Sequence, residues 1–311
     1  MSERFRVYLS YILICTIWGS TWLVIKIGLT TMTPMLGAGL RFLVASTILF
    51  TLIKVRGVKI PWDRGERWFY AVVAFTSFSI PFALVYWGEQ YIPSGLTSII
   101  FAIYPFTVAI FSVFFLPNEK ITIWKIFGIV LGFTGVFTIF SNDLEASNPY
   151  ALWGMGAILL SAVLQGYSVI VIKRHGHSIH PFAITFVPML IAATILISAG
   201  LIFEDLTKIR FTPHAVLAIL YLGVFGSVAT FVSYFWLLKR VEAVFLSLTA
   251  FITPIIAAIL GVIVLGEELS PRIFIGAAFV LGGIAVANFA ELNKYLKLYS
   301  NSGKRQSDMP E

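Results

Sequence analysis

Arg41 stands inside a long apolar run, Leu40-Arg41-Phe42-Leu43-Val44. A guanidinium there is costly unless something hydrogen-bonds or neutralises it, so its position is a candidate site by default. Lys26 ends a first apolar run and Glu89 ends a third. On the spans assigned below, all three lie toward one membrane face. Arg41 sits about five residues inside it, roughly 7 Å at 1.5 Å per residue. Such a cluster could recognise a zwitterion, with Arg41 or Lys26 facing a carboxylate and Glu89 an ammonium. Glu89 is also the candidate proton carrier. The plainer alternative is a structural ion pair with a lysine reaching to the interface.

Polar and aromatic groups extend the set. Trp18 and Trp22 are four residues apart, hence on one helix face, which Lys26 continues. Thr21 joins them as a candidate contact. Tyr86 lies near an interface, where an aromatic belt is the default. Tyr104 is central and directly precedes Pro105. Pro105 and Pro254 fall mid-span, where each removes a backbone hydrogen bond and can kink its helix. Freed carbonyls in a membrane must find partners or line a wet cavity. Ser98, Ser247 and Thr253 could supply hydroxyls beside those breaks, and Gln165 carries an amide inside its span. Gly128, Gly132, Gly276 and Gly283 read as sites of close helix packing.

These residues need elements to hold them. The chain has 311 residues, 59% of them hydrophobic and 12% charged. A soluble surface needs about twice that charge. A bilayer core takes roughly 20 apolar residues per helix. By that measure ten spans fall near 8–26, 36–53, 68–88, 93–116, 124–140, 150–172, 182–203, 214–238, 243–265 and 271–290. The runs are too long and too uniformly apolar for barrel strands. Of the 22 Lys and Arg, only Lys26, Lys208, Arg210 and Arg272 fall on one side and Arg41 within a span. The rest collect in the loops on the side of the termini, which the positive-inside rule makes cytoplasmic. The first run contains Trp18, Trp22 and Lys26 and ends without a small-x-small site, so it reads as a retained helix rather than a leader.

Spacing repeats along the chain. Gly19, Lys26 and Pro34 recur as Gly166, Lys173 and Pro181, all 147 residues later. Trp87, Ser98 and Pro105 recur as Trp236, Ser247 and Pro254 at 149, and Gly128, Gly135 and Glu119 as Gly276, Gly283 and Glu267 at 148. A unit of five spans is odd, so a second copy would enter the membrane from the opposite side. That is the inverted repeat of many secondary carriers.

Other functions lack their residues. The net charge of +7 is spread over short loops, not gathered on a nucleic-acid-binding stripe. Cys15 is the single cysteine, and His175, His177 and His180 share one connection without Cys or carboxylate partners, so the loop reads as solvated and no metal is expected. No phosphate loop, nucleophile–base arrangement or convergent intramembrane carboxylates appear. The chain therefore reads as a non-enzyme without cofactors. A membrane-embedded enzyme would need convergent acid or base groups, and a scaffold would need no central cavity.

Several stretches carry a family likeness across residues 8–290: Trp18-Gly19-Ser20-Thr21-Trp22 with Lys26, then Leu40-Arg41-Phe42. They continue with Trp87-Gly88-Glu89-Gln90-Tyr91-Ile92-Pro93-Ser94-Gly95-Leu96, Tyr104-Pro105, Pro254, and Leu265-Gly266-Glu267-Glu268-Leu269. Their order and spacing resemble the drug/metabolite transporter superfamily, in its EamA-type branch with tandem five-helix domains. The first copy departs at Leu116-Pro117-Asn118-Glu119, where the family usually has Leu-Gly-Glu. The resemblance implies export of amino acids or related metabolites through a central cavity between two halves. The expectation is thus an all-α integral membrane protein with ten transmembrane helices in two inverted five-helix repeats. Residues 1–145 and 146–292 form the repeats, and 293–311 a cytoplasmic polar tail. Its expected partners are a small-molecule substrate, the lipid bilayer and a coupling proton. The expected location is the inner membrane. Uptake of small organic solutes is the alternative direction.

Overall fold

A computed structural model describes residues 3–116, 122–140, 148–240, 246, 249–287 and 289. Regular structure among these residues is helical. Eight helices are long and apolar enough to cross a membrane. They are α1 (Glu3–Gly28), α2 (Pro34–Arg56), α3 (Arg64–Glu89), α4 (Ser94–Phe115), α5 (Ile123–Phe140), α6 (Ala151–His175), α7 (Pro181–Phe203) and α8 (Pro213–Leu238). Two shorter apolar helices follow, α9 (Thr249–Leu265) and α10 (Pro271–Ala287). The expected start near 243 and end near 290 of these last spans lie outside the described residues.

Prolines open several helices. Pro34, Pro181, Pro213 and Pro271 occupy the first turns of α2, α7, α8 and α10, where a missing N–H leaves nothing unpaired. The remaining first-turn donors find local acceptors or acceptors far along the chain. Thr212 Oγ1 accepts from Ala215 N at 3.2 Å and His180 Nδ1 from Phe182 N at 3.2 Å. The Glu204 carboxylate, just past α7, accepts from Met35 N and Leu36 N of α2 at 2.7 and 3.1 Å. Glu267, just past α9, does the same for Ser94 N and Gly95 N of α4 at 2.7 and 3.0 Å. Anions at helix N-termini also complement the helix dipole. Glu267 reaches back because Gly266 takes φ +64, a left-handed turn open to glycine without strain.

Helix pairing crosses the chain. α1 packs on α8 and α9, while α6 packs on α3 and α4; α2 pairs with α7 and α5 with α10. In the last pair the backbones nearly touch. A Cβ at Gly283 would meet the Gly128 carbonyl at 2.5 Å, and one at Gly135 would meet the Gly276 carbonyl at 2.5 Å. Close packing is thus what these glycines permit.

Two helices widen at mid-length. α3 runs as a π-helix over Ala74–Ser79, and α8 over Val224–Ala229. π segments are rare and gather at functional sites. The local causes differ. Pro81 follows the first segment and has no N–H for the Ser77 carbonyl. In the second, the Gly226 carbonyl accepts from Thr230 Oγ1 at 2.9 Å and from Arg41 Nη2 at 2.8 Å. The helix of α4 breaks before Pro105, with a turn at Ala102 and Ile103. Pro254, by contrast, sits inside a continuous helix, so of the two expected breaks one interrupts its helix and the other does not.

Candidate transport chamber

A cavity lies in the midst of the helices. One face of α1 supplies Trp18, Thr21, Trp22 and Ile25, successive positions on the same helical stripe. α2 supplies Arg41; α3 supplies Ser77, Phe82 and Val85. From α4 come Ser98, Phe101, Ala102 and Tyr104, at and above its break. α6 adds Gln165, Val169 and Ile172; α8 adds Phe231, Tyr234 and Phe235; α9 adds Thr249, Ala250 and Thr253.

The walls are aromatic and interlocked. Trp18 packs on Phe231 and Tyr234 with ring centroids 5.4 and 5.2 Å apart. Trp22 meets Phe101 at 5.2 Å, and Phe101 stacks on Tyr104 at 5.8 Å. Tyr104 and Tyr234 share a hydrogen bond between hydroxyls at 3.1 Å. Offset and edge contacts of this kind favour fixed ring positions. Three wall hydroxyls donate to a carbonyl three residues earlier: Thr21 to Trp18, Ser98 to Gly95, Thr249 to Leu246. Their oxygens keep lone pairs to offer as acceptors. Ser77 Oγ donates to Ser168 Oγ on α6, and Gln165 Nε2 to Ser161 Oγ at 3.3 Å.

Arg41 is 2% exposed. Its Nε donates to Ser227 Oγ at 2.8 Å and its Nη2 to the Gly226 carbonyl, both in the widened turn of α8. The guanidinium lies over the Phe82 ring at 4.8 Å. Nη1 is buried without a hydrogen-bond partner. Between described residues the one ion pair is Lys208–Asp205 at 3.7 Å, so no described carboxylate balances Arg41.

Eight of the twelve residues singled out in the sequence meet in this wall: Trp18, Thr21, Trp22, Arg41, Ser98, Tyr104, Gln165 and Thr253. Ser247 lies outside the described residues. Lys26, Tyr86 and Glu89 are not part of the lining. Lys26 Nζ instead donates to the carbonyls of Glu89, Gln90 and Ile92 at 2.5, 3.4 and 2.8 Å, closing the C-terminal end of α3. Glu89 is fully buried, and neither of its carboxylate oxygens has a hydrogen-bond partner. Tyr86 is buried, its hydroxyl beside the Arg41 guanidinium without a hydrogen bond of good geometry. The expected three-charge cluster therefore divides: Arg41 faces the cavity, while Lys26 and Glu89 stand at the end of α3. Sequence reading missed Ser77, Phe82, Ser227 and Tyr234. The mid-span Pro81 and Gly226 were the signals that could have found the two widened turns which bring Ser77 and Ser227 inward.

The sequence matches the EamA-like transporter family over residues 5–141 and again over 152–289. It is 31% identical to Protein PagO of Salmonella typhimurium over 268 residues, 86% of this chain and 88% of PagO. It is 29% identical over 283 residues to the Uncharacterized inner membrane transporter YedA of Escherichia coli, covering 90% of this chain and 89% of YedA. A solved crystal structure aligns with a TM-score of 0.68 at 19% identity, covering 91% of this chain and 98% of its own, a likeness of fold. With apolar helices of spanning length, an aromatic chamber among them and the family matched on both sides of residue 146, the chain belongs to the EamA-like transporter family and is a multi-pass membrane transporter.

Proposed function

We propose that the chain is a secondary carrier that exports amino acids or related small metabolites by alternating access. On this reading it spans the inner membrane ten times with both termini cytoplasmic. Residues 1–145 and 146–292 are two inverted five-helix units, and 293–311 is a polar tail. The observation that carries the reading is the chamber itself: its wall draws on α1 to α4 and on α6, α8 and α9, so both units shape one space.

Reciprocal contacts support the two-fold relation. Gly128 and Gly135 of α5 correspond by spacing to Gly276 and Gly283 of α10. In the structure Gly128 meets Gly283 and Gly135 meets Gly276, the crossed pattern a two-fold axis produces. The π segments at 74–79 and 224–229 also stand 150 residues apart. Such symmetry lets either unit adopt the other's conformation, opening the chamber alternately to each side.

Trp18, Thr21, Trp22, Arg41, Ser98, Tyr104, Gln165 and Thr253 are the proposed substrate contacts. Glu89, buried beside Lys26, is the proposed proton site. The test is efflux from proteoliposomes loaded with a panel of amino acids and related acids and amines, with and without a pH gradient. Cargo-specific efflux above the leak of protein-free vesicles is expected. Leak-level efflux for every cargo would count against the carrier.

A further inference from the structure

Charge in the chamber is unbalanced. Among the described lining residues Arg41 is the one Lys, Arg, Asp or Glu. Its Nε and Nη2 are held by α8, which fixes the guanidinium plane, and the buried Nη1 makes no hydrogen bond of good geometry, although the guanidinium lies beside the Tyr86 hydroxyl. The described carboxylates at the neighbouring helix ends are committed or lie off the lining. Glu204 and Glu267 cap α2 and α4, and Glu89 lies off the lining at the end of α3. An ammonium group entering this space would meet a like charge and no carboxylate. Aromatic faces could hold it only through cation–π contact, which Arg41 already makes with Phe82. An anion would neutralise a buried cation and supply the acceptor that Nη1 lacks.

We infer that the cargo is an organic monoanion: a carboxylate bound by Arg41 Nη1, with an apolar or aromatic body against Trp18, Trp22, Phe101 and Tyr104, and no free ammonium group. This rests on the chamber being the transport site and selects, among the cargoes proposed above, the related metabolites that are acids without an amino group. One free guanidinium nitrogen suits a single negative charge. The hydroxyl acceptors of Thr21 and Ser98 suit neutral donors elsewhere on the cargo.

The test uses four compounds sharing a phenylethyl body: hydrocinnamate, phenylalanine, phenethylamine and hydrocinnamamide. Each is titrated against the purified full-length protein in vesicles, following the fluorescence of the wall tryptophans, and each is then loaded for efflux. Hydrocinnamate should bind about tenfold more tightly than its amide, the worth of one charge-assisted hydrogen bond. Phenylalanine and phenethylamine should bind more weakly still. Arg41→Gln should bring acid and amide to similar affinity. If that variant fails to insert, Arg41→Lys should keep the order of the four ligands at reduced affinity. Binding of phenylalanine or phenethylamine as tight as hydrocinnamate, or binding by none of the four, overturns the inference. Hydrocinnamate that binds preferentially but escapes no faster than from protein-free vesicles leaves the chamber's preference for a monoanion standing and removes the carrier reading.

Discussion

At the scale of single residues, three carboxylates in similar apolar surroundings do different work, and their partners separate them. Glu204 and Glu267 each accept two backbone N–H bonds, so their charge is spread over a helix terminus. Glu267→Ala would strand two donors at the start of α4, a loss of about 1–3 kcal/mol. A lower unfolding temperature in detergent is expected, with Glu267→Gln falling between the variant and wild type. Glu89 has no such partners, and the three donor contacts of Lys26 go to carbonyls. It is the carboxylate proposed above as the proton site. Glu89→Gln should therefore leave cargo binding near wild type and abolish the stimulation of efflux by a pH gradient. Stimulation of the usual size in that variant would remove Glu89 from coupling. The sequence placed Arg41 correctly as a buried polar residue, because its apolar flanks leave it no route to water. It did not separate Arg41 from Lys26 and Glu89. Nearness along the membrane normal can be counted in residues, but rotation about a helix axis at the end of a span cannot.

At the scale of elements, helix ends and helix seams are the points of control. His180 caps α7 through Nδ1 and lies near Arg56 and Lys239. Burial first, then these two cations, holds its pKa below the ordinary histidine value. The folded state thus prefers the neutral ring, and the unfolded chain takes up the proton first as pH falls. Stability should decline once pH drops below about 6.5, the unperturbed value, and the decline should end below the lowered value of the folded state. His180→Asn keeps a capping acceptor without a titrating ring, so the difference from wild type in unfolding temperature should change with pH across that window. The seam between α5 and α10 makes a second prediction. Gly135→Val would drive a side chain into the Gly276 carbonyl and the backbone of Val280. Overpacking of this kind costs about 1–3 kcal/mol, visible as reduced yield of folded protein, whereas Gly156→Ala meets nothing within 4 Å and should be silent. Spacing marked Gly128, Gly132, Gly276 and Gly283 as packing positions, but which helices they join was visible only in the structure. The widened turns of α3 and α8 were marked in the sequence only by Pro81 and Gly226, and the second also depends on a contact with Arg41, 185 residues away in sequence.

At the scale of the whole molecule, the proposed orientation can be read directly. Cys15 is buried, and Cys15→Ala gives a background without thiols. On intact cells an impermeant maleimide should label Lys208→Cys, in the connection after α7, and should label Trp62→Cys, in the connection after α2, only once the membrane is opened. The reverse pattern would invert the topology. The chain's composition sufficed for the membrane and the helices, because lipid admits few alternatives to a helix for an isolated span. The chamber needed coordinates: Tyr234, Phe231 and Phe82 look like ordinary lipid-facing aromatics until the packing of α1 against α8 turns them inward.

The glycine seam also divides labour. Among the described residues α5, α7 and α10 give nothing to the chamber wall. On the proposed two-unit reading, α5 and α10, in close backbone contact with each other and off the chamber wall, would serve as an axle. If the two proposed units turn on that seam, substitutions in the lining helices should change which cargo is held without disturbing the contact between α5 and α10.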